Sequence, residues 1–475
     1  MRRLGGLTLL GCLAGSGASP LVEARAFAQP ESPPAGRVTM AAAGSDAPLT
    51  PQGDPADATV RPVVTLAQVE RSAAQVQPQV LVARSNTDVA EAEADVARSP
   101  MLPQVVGQAS YTRQTGNFAP RPGSLPAGFG AGGGSVFSTS YDYWNLNLAG
   151  TQLLYDFGQT YQRFKAARLN VDVQRYGEQV ARLQVLLNVR TAYFGARAQK
   201  ELVSVARETL DDQNRHLTQV QGAVQVGTQP PIALAQQKAA CANARVTLIQ
   251  AQNNYATAKS QLNQAAGIVG GTDYDVGDEE LGPLDDEDQP LDALAARALE
   301  ARPEMAVFVK QRQAQQATLS SARGGYGPTL SASAGASEAG LTLSTMVPNW
   351  NAGVLLDWPI FQGGLTQAQV HQAEAGLSGI EAQKAGEVLQ VRLQVDTARL
   401  AVRAAKAIIG AAEEARDSAH EQLRLAEQRF ATGVGNIIEL DDAQVAYTTA
   451  AAQVVQARFG LASARAQLLA ALGRT

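Results

Sequence analysis

Apolar positions along the chain follow two periods, and both patterns occur once in each half. Spacings of three, four and seven residues predict helices, whereas strict alternation of apolar and polar residues predicts strands. In the first half the helical stretches cover about 66–99 and 158–222, and helical spacing resumes after a break and continues to about 266. In the second half they cover about 291–323 and 364–431, and helical spacing again resumes and continues to about 472. The alternating stretches lie near 104–115, 141–157, 329–337 and 349–361. Each half is therefore predicted to contain a helix, two strands and a long helix, followed by a turn and a further helix.

The two halves are also related by residue identity, which indicates a tandem duplication. Three pairs are displaced by the same 206 residues: Trp144-Asn145 and Trp350-Asn351, Gly227 and Gly433, and Gly267 and Gly473. Nearer the start of each half the displacement is 225 residues, as between Pro78 and Pro303. The difference places 19 extra residues in the first half between Pro103 and Trp144, where we expect a surface loop.

This periodicity divides the chain into repeat 1 at 66–267, an acidic linker at 268–290 and repeat 2 at 291–475. Nine acidic residues lie between Asp273 and Asp288, and we interpret the linker as a solvated connection.

The N-terminus looks like a secretory signal at 1–28, since two arginines precede a long uncharged run. The small residues before Gln29 favour cleavage after Ala28. Cys12 follows Leu-Leu-Gly and leaves lipidation of that cysteine open as an alternative. Residues 29–65 are predicted to be a disordered N-terminal segment, because Pro, Ala, Gly and Ser dominate most of it.

Helix lengths predict an elongated shape. Each half has one helix of roughly 65–70 residues, close to 100 Å at about 1.5 Å per residue, and two helical stretches of about half that length. Stacked end to end, the two short stretches match the long helix, so each half contributes two full-length columns. Columns of this length form a tube wall or a rod rather than a compact domain.

All three tryptophans, Trp144, Trp350 and Trp358, lie on the apolar faces of alternating stretches, while the opposite faces carry residues such as Asn145 and Asn351. The core of a soluble sheet is one interpretation. We favour a lipid-facing aromatic girdle, because eight residues of tilted strand span roughly 20 Å, near the height of an outer-membrane apolar band. The small, polar opposite faces suit a water-filled lumen.

Four strands per chain are too few to close a barrel in a membrane. An open sheet would leave unpaired backbone groups in lipid at both edges, each costing several kcal/mol, and single-chain barrels need at least about eight strands. Copies must therefore join. The predicted fold class is mainly α with a membrane β-barrel, internally duplicated, in which a trimer closes a 12-stranded barrel above a long α-helical barrel.

Composition and motifs exclude several other functions. The net charge of −5 gives no basic footprint for nucleic acid. Cys12 and Cys241 are the only cysteines. The three histidines, His216, His371 and His420, fall on predicted helices, lack metal-ligand spacing and are assigned to surface positions. A glycine-rich stretch at 128–133 matches a dinucleotide fingerprint only formally, since no buried strand or helix flanks it. We predict no catalytic residues, no cofactor, no metal site and no enzymatic activity.

Several segments resemble the TolC-like outer membrane efflux protein family. They are residues 317–328 running into a strand, 358–364 (WPIFQGG) leading into the long helix, 429–433 (RFATG) followed by 437–444 (IIELDDAQ), and the ending at 464–473. The resemblance extends over both halves, from Leu66 to Gly473. It implies a homotrimeric channel-tunnel in the outer membrane whose periplasmic tip meets an adaptor (membrane fusion) protein. An inner-membrane pump of the RND or ABC type would supply the energy.

The same resemblance implies where the tunnel narrows. Gly227, Gly433 and Gly435 mark the helical-hairpin tips, and Glu439 and Asp442 match inward acidic residues that form the pore constriction. These two carboxylates lie at i and i+3, so both can face a lumen, where three copies would crowd six of them. The alternative is an ordinary solvated helix start. The family's basic residue two positions after the tip glycine is Gly435 here, which puts a salt-bridge latch at that position in doubt.

Two other functions stay open from the sequence. One is a non-conducting coiled-coil structural protein anchored in the outer membrane, and the other is a metal-efflux component with the same fold. Nothing in the sequence selects among drugs, metals and polypeptides as cargo.

Overall fold

The computed structural model describes residues 62–115, 140–285 and 287–474. The first half contains β1 (Val63–Val64), α1 (Leu66–Val76), α2 (Pro78–Arg98), β2 (Gln104–Thr115), β3 (Ser140–Tyr155), α3 (Gln159–Gln225) and α4 (Pro231–Ala266). The linker contains β4 (Asp275–Val276). The second half contains α5 (Leu291–Ala301), α6 (Pro303–Gly324), β5 (Thr329–Gly340), β6 (Val347–Asp357), α7 (Leu365–Ala431) and α8 (Ile437–Ala471). The elements α1 to α4 with β2 and β3 thus recur as α5 to α8 with β5 and β6, so the chain is internally duplicated.

Some of the sequence predictions fall outside the described residues. These are the signal peptide at 1–28 with Cys12 and Ala28, most of the predicted disordered segment, and nearly all of the 19-residue insertion.

The first helix of each half is broken, which corrects the prediction of single helices over 66–99 and 291–323. Gln77 separates α1 from α2 with φ −62° and ψ 122°, and Arg302 separates α5 from α6 with φ −71° and ψ 128°. Each residue precedes a proline, whose ring disfavours the helical conformation in its predecessor. The breaks lie at equivalent positions of the two repeats.

At these breaks the short helices of each half meet end to end. Gly267, just after α4, has φ +69°, and a Cβ added there would lie 2.8 Å from the Cα of Gln77. Gly473 occupies the equivalent place after α8, and a Cβ added there would lie 3.1 Å from the Cα of Arg302. Since α2 and α4 both pack along α3, the short helices form a second column beside the long one.

Buried valines at equivalent positions of the two long helices form the centres of the packing. Val185 and Val189 of α3 lie in one cluster with Tyr193 of the same helix, while Val391 and Val395 of α7 lie in another. Each pair is displaced by 206 residues. In the described part of the chain, no helix is both long and apolar enough to cross a bilayer.

The linker is docked on the helices, which corrects its interpretation as a solvated connection. Its strand β4 pairs in parallel with β1, so Val63 and Val64 are ordered although they belong to the segment predicted to be disordered. Glu287 is only 2% exposed. Helix cations neutralise much of the linker's acidic charge through four close pairs: Arg197–Glu280 at 2.9 Å, Lys200–Asp278 at 3.0 Å, Lys406–Glu287 at 2.6 Å and Arg465–Glu287 at 2.6 Å.

The four longer strands form one antiparallel sheet in the order β2-β3-β5-β6. β2 and β6 are therefore its two edges, and neither edge has a further strand partner among the described residues. β6 ends at Asp357, so Trp358 lies just beyond the strand and not on its face as predicted. Pro359 follows, and proline offers no amide to extend a ladder.

Candidate functional site

The sheet has one apolar and one polar face, and the strand register determines which residues share each face. Trp144 lies opposite Tyr111 of β2 and Gly340 of β5. Trp350 lies opposite Ala336, which in turn lies opposite Leu148. Directly opposed residues point to the same side of a sheet, so Trp144 and Trp350 share a face. Leu146, Val354 and Leu356 lie on that face and are exposed in the isolated chain.

Aromatic rings occur at both ends of this apolar face. Toward the loop end of β2 and β3, the Tyr111 and Trp144 ring centroids are 4.6 Å apart. At the opposite end, next to the long helices, the Trp358 indole Nε1 donates a hydrogen bond to the Tyr326 carbonyl oxygen over 3.3 Å. Trp350 and Trp358 are 78% and 60% exposed. Rings at both boundaries of an apolar band match the girdle arrangement of outer-membrane barrels.

The opposite face consists of amides, hydroxyls and small residues. Its members include Asn145, Asn147, Ser333, Ser337 and Asn351, all of which the register brings to one side. A polar face of this kind suits contact with water, and the lipid-facing role of the tryptophan face stays a prediction.

At the far end of the long helices, each half turns back through a left-handed glycine. Gly227 has φ +80° between α3 and α4, and Gly433 has φ +77° between α7 and α8. Beyond the first of these, the Thr228 amide donates to the Ala223 carbonyl at 2.9 Å, and beyond the second the Val434 amide donates to the Arg429 carbonyl at 3.0 Å. Such glycine-ended turns satisfy carbonyls that the helix end leaves free.

At the second tip, Gly435 packs closely against the end of α7. Its amide donates to the Arg429 carbonyl at 2.8 Å, and an added Cβ would lie 2.8 Å from the Phe430 nitrogen. A basic side chain therefore does not fit at position 435 with this backbone. Asn436 then begins α8 by accepting a hydrogen bond from the Ile438 amide at 3.3 Å.

Glu439 and Asp442 lie together on the exposed face of the first turn of α8, while Leu440 and Ala443 between and beside them are buried. Arg429, at the end of α7, approaches Glu439 at 3.5 Å. Both side chains of this pair are about half exposed, so the contact contributes little to stability. The pore-constriction role of the two carboxylates stays a prediction.

Next to the tips lies a layer of polar side chains that the sequence pattern does not predict. Asp441 lies next to the predicted constriction residue Asp442, and burial is the main reason that the pKa of its carboxyl is raised. Its neighbours include His216 of α3, which is 4% exposed and lies 3.2 Å from Glu427 of α7. The prediction of a surface position for His216 is therefore wrong. Its position on a 67-residue amphipathic helix offered no signal of its burial.

In the described ranges, no group of three or more His, Cys, Asp or Glu side chains is arranged to hold a metal ion. Cys241, the one cysteine in the described ranges, is partly buried and donates to the Gln213 carbonyl.

Sequence comparison places both repeats in one family. The profile of the family described as outer membrane efflux protein matches residues 70–268 and 294–474. The outer membrane protein TolC of Escherichia coli is 25% identical over 432 residues, 86% of this chain and 82% of TolC. The outer membrane efflux protein BepC of Brucella suis is 23% identical over 404 residues, 82% of each chain.

Structural comparison gives the same fold. The CmeC outer membrane channel of Campylobacter jejuni superposes with a TM-score of 0.71 at 18% identity, covering 86% of this chain and 85% of CmeC. The outer membrane protein VceC of Vibrio cholerae superposes with a TM-score of 0.71 at 18% identity, covering 86% of this chain and 96% of VceC.

These matches extend over both repeats, and none of them supports a non-conducting rod. The chain belongs to the outer membrane efflux protein family, whose members are channels of the outer membrane with long periplasmic helical tunnels rather than enzymes.

Proposed function

We propose that this chain forms, as a homotrimer, the exit duct of a tripartite efflux or secretion system. The duct is a passive conduit that an adaptor opens at its periplasmic tip and that an inner-membrane pump of the RND or ABC type energises. One observation carries the proposal: a four-stranded sheet with one apolar face and two open edges continues into helices of 67 residues. Such a sheet is stable in lipid only when other copies pair with its edges.

The duplication indicates which helices of neighbouring copies meet. Four large side chains, namely Leu389, Leu393, Leu400 and Ile408, form an exposed stripe on α7 at 69%, 56%, 50% and 57% exposure. Subtracting 206 from each number gives the counterparts on α3, which are Leu183, Leu187, Phe194 and Leu202. Those counterparts are buried or half-buried, and Phe194 packs near Phe459 of α8. Repeat 2 thus covers the stripe on α3 of repeat 1, whereas the equivalent stripe on α7 of repeat 2 is uncovered in the isolated chain.

We assign the complementary surface to α2. Val82, Val89 and Val96 recur every seven residues and are 60%, 56% and 71% exposed. Adding 225 gives Val307, Ala314 and Ser321 on α6, the helix that packs against α3. Ala314 and Ser321 are buried there, and the Ser321 hydroxyl donates to the Gln159 carbonyl at 2.9 Å.

The contacts that α3 makes with α6 and α8 inside one chain should therefore be repeated between copies. In that assembly α7 of one protomer packs against α2 and α4 of its neighbour. Repeating the step closes a ring, and three copies supply about twelve strands, enough for a membrane barrel.

The tips supply a surface for the adaptor. Val226 and Ile232 at the first tip are 75% and 65% exposed, and Val434 and Ile438 at the second are 75% and 53% exposed. Apolar side chains grouped at an exposed end are typical of a protein interaction site. We therefore assign the adaptor contact to the tips.

Two measurements on the detergent-extracted protein test the proposed function. Native mass measurement should give three chains per particle, and planar bilayers should show discrete single-channel conductance. A monomeric particle, or a trimer that conducts no ions in any condition, would refute the proposal.

A further inference from the structure

A cavity of about 570 Å³ lies between α3, α4 and α8. It begins at Asp441, in the first turns of α8, and continues along that helix to Ala452. At about 1.5 Å of rise per residue this distance is about 16 Å. Cavities of this volume hold drug-sized molecules in other proteins. The cavity is therefore large enough for a ligand, and its lining determines which kind.

The floor of the cavity is apolar, whereas its side on α4 is polar. Leu202, Val205 and Ala206 of α3 line the floor and are buried or half-buried. The lining residues on α4 include exposed amides and a hydroxyl, namely Asn243, Thr247, Gln250 and Asn254. A molecule with an apolar body would bury that body against α3 while its edge stays in contact with polar groups.

The end of the cavity nearest the second tip carries hydrogen-bonding atoms without partners. Gln444 is 0% exposed, and neither its Oε1 nor its Nε2 has a partner in the described chain. Asp441 lines the same end, and its Oδ1 also lacks a partner. The two residues are three positions apart and so lie on one face of α8. Since buried polar atoms are normally hydrogen-bonded, this end provides two free acceptors that a ligand can use.

The charge at this end favours a cation. Burial raises the pKa of the Asp441 carboxyl, and the carboxylate of Asp442 beside it acts in the same direction. A bound cation would offset both effects, whereas an anionic group would add to the repulsion. A primary ammonium carries three donors and no acceptor, so it can donate to Asp441 Oδ1 and Gln444 Oε1 at once. The head group that fits this end is therefore a protonated amine.

The cavity stays open in the proposed ring and lies on the side of α8 that bears Asp442. Val445 and Thr449 line the cavity, are exposed and follow Asp442 by three and seven positions. The neighbouring α7 is assigned to the stripe of α4 that contains Ala242 and, four positions later, Val246. Neither of these two residues lines the cavity. Ring closure thus leaves the cavity uncovered.

We propose that this cavity is a lumenal binding site for cationic amphiphiles. The protonated amine of the ligand binds Asp441 and Gln444, and the apolar body lies over Leu202, Val205 and Ala206. The lumenal position rests on the proposed function, because it follows from the predicted inward direction of Asp442. Binding itself does not, since one chain supplies the whole lining.

The duplication indicates one site per chain. Subtracting 206 from 441 and 444 gives Ala235 and Lys238 of α4. In the proposed ring these residues occupy the equivalent groove between protomers. That groove has a lysine in place of Gln444 and no carboxylate in place of Asp441, so it should repel an amine. A trimer should therefore bind three amines rather than six.

Dansylcadaverine, a primary amine with a naphthalene body, is the probe, and its N-acetyl derivative is the uncharged control. Fluorescence titration of the full chain in lipid nanodiscs should show saturable binding of the amine, with one site per chain. The N-acetyl derivative should bind at least about tenfold more weakly, because it cannot form the charge-assisted hydrogen bond to Asp441.

Asp441→Asn preserves the shape of the side chain but removes its charge, and it should weaken amine binding about tenfold or more. Glu208→Gln is the matched control. Glu208 is exposed on α3, next to the cavity residue Thr209, but does not line the cavity. Its loss of charge should change the affinity less than about twofold.

Gln444→Met separates a binding role from a structural one. The substitution removes two buried polar atoms that have no partner, so the thermal unfolding midpoint should rise. Amine binding should nevertheless weaken, because the second acceptor is lost. A lower midpoint together with natural affinity would contradict the assignment of Gln444 to the site.

Equal binding of the amine and its N-acetyl derivative, or natural affinity in Asp441→Asn, would overturn the site. If affinity is lost only in Glu439→Gln with Asp442→Asn, the amine binds at the predicted constriction and the inference is wrong. In planar bilayers the amine should reduce the single-channel current of the natural protein but not of Asp441→Asn. Binding without this effect would overturn the lumenal position. A protein that binds the amine but conducts no ions would refute the duct and leave the binding site standing.

Discussion

At the scale of single residues, Gly435 at the second tip is needed because a larger residue would collide with the end of α7, and not because of its backbone angle. A Cβ at Gly435 would lie 2.8 Å from the Phe430 nitrogen and 2.9 Å from the Arg429 carbonyl carbon. Arg429 instead approaches Glu439 from the preceding helix. The basic group at this tip thus comes from position 429, before the tip glycine.

Gly435→Ala should loosen the second tip, because the backbone at 429–430 must move to admit a methyl group. We expect the opening free energy of amides in 429–440 to fall by about 1–3 kcal/mol, measured by hydrogen exchange. Gly379→Ala in α7 is the control, since a Cβ there meets nothing within 4 Å. That substitution should raise local stability by about 0.5–1 kcal/mol. Equal protection in the two variants would contradict the packing argument.

The predicted constriction is tested at the same scale. Glu439→Gln combined with Asp442→Asn removes the charges that three copies would crowd together, so single-channel conductance should rise about twofold or more. Glu421→Gln with Asp417→Asn also removes two exposed carboxylates, but from α7, and should leave conductance close to its natural value. Unchanged conductance in the first variant would remove Glu439 and Asp442 from the constriction.

At the scale of elements, the linker is a clamp on the helices of repeat 2. The Glu287 carboxylate contacts Lys406 of α7 and Arg465 of α8, each at 2.6 Å, and accepts the Leu284 amide at 2.9 Å. Burial raises the pKa of this carboxyl, but the bonds from Lys406, Leu284 and Arg465 outweigh burial, and the net pKa is lowered. One side chain therefore joins α7, α8 and the linker.

Glu287→Gln should detach the linker, because it leaves two cations without their shared carboxylate. We expect a loss of about 2–4 kcal/mol in local stability, measured by hydrogen exchange over 281–289. Asp288→Asn is the control: Asp288 is 85% exposed at 3.5 Å from Lys406, so its loss should cost less than about 1 kcal/mol. Equal losses in both variants would show that burial of Glu287 is not what matters.

The pH dependence of the clamp follows from the lowered pKa of Glu287. A carboxyl with a lowered folded-state pKa contributes its full stability above the ordinary glutamate value of about 4.3, and loses it as pH falls through the lowered value. Hydrogen-exchange protection over 281–289 should thus be constant between pH 8 and 5.5 and should fall only in more acidic solution.

At the scale of the whole molecule, the duplication converts contacts within a chain into predicted contacts between chains. The Thr209 and Thr448 hydroxyls are 3.0 Å apart between α3 and α8. Adding 206 to the first and subtracting 206 from the second gives Ala415 on α7 and Ala242 on α4, both exposed. These two alanines should be neighbours across the interface between protomers.

Cysteines at positions 242 and 415, in a Cys241→Ser background, should form disulfides between chains on mild oxidation, giving dimers and closed trimers on non-reducing gels. Thr209→Cys with Thr448→Cys in the same background is the matched control and should form its disulfide within one chain. The Thr209 and Thr448 hydroxyls lie 3.0 Å apart at the positions that the two sulfur atoms would take, which favours a bond between them. A control that oxidises while the 242 and 415 pair stays monomeric would disprove the predicted interface.

The sequence alone was sufficient for the elements and for the family. Hydrophobic period identifies helices and strands because it is a local property, and the displacements of 206 and 225 residues identify the duplication without reference to any contact. The four alternating stretches likewise show that one chain has too few strands to close a membrane barrel. The ends were less well predicted: Trp358 lies just past β6, and the helices break at Gln77 and Arg302.

Burial and partnership were decided only by the tertiary structure. Glu287 looked solvated within an acidic run, yet Lys406 and Arg465, more than a hundred residues away in sequence, hold it in a buried site. His216 looked like a surface residue, and its burial depends on α4, α7 and α8 closing around α3. Residues remote in sequence determine whether a polar side chain is exposed. The hydrophobic period of its own helix therefore does not predict its burial.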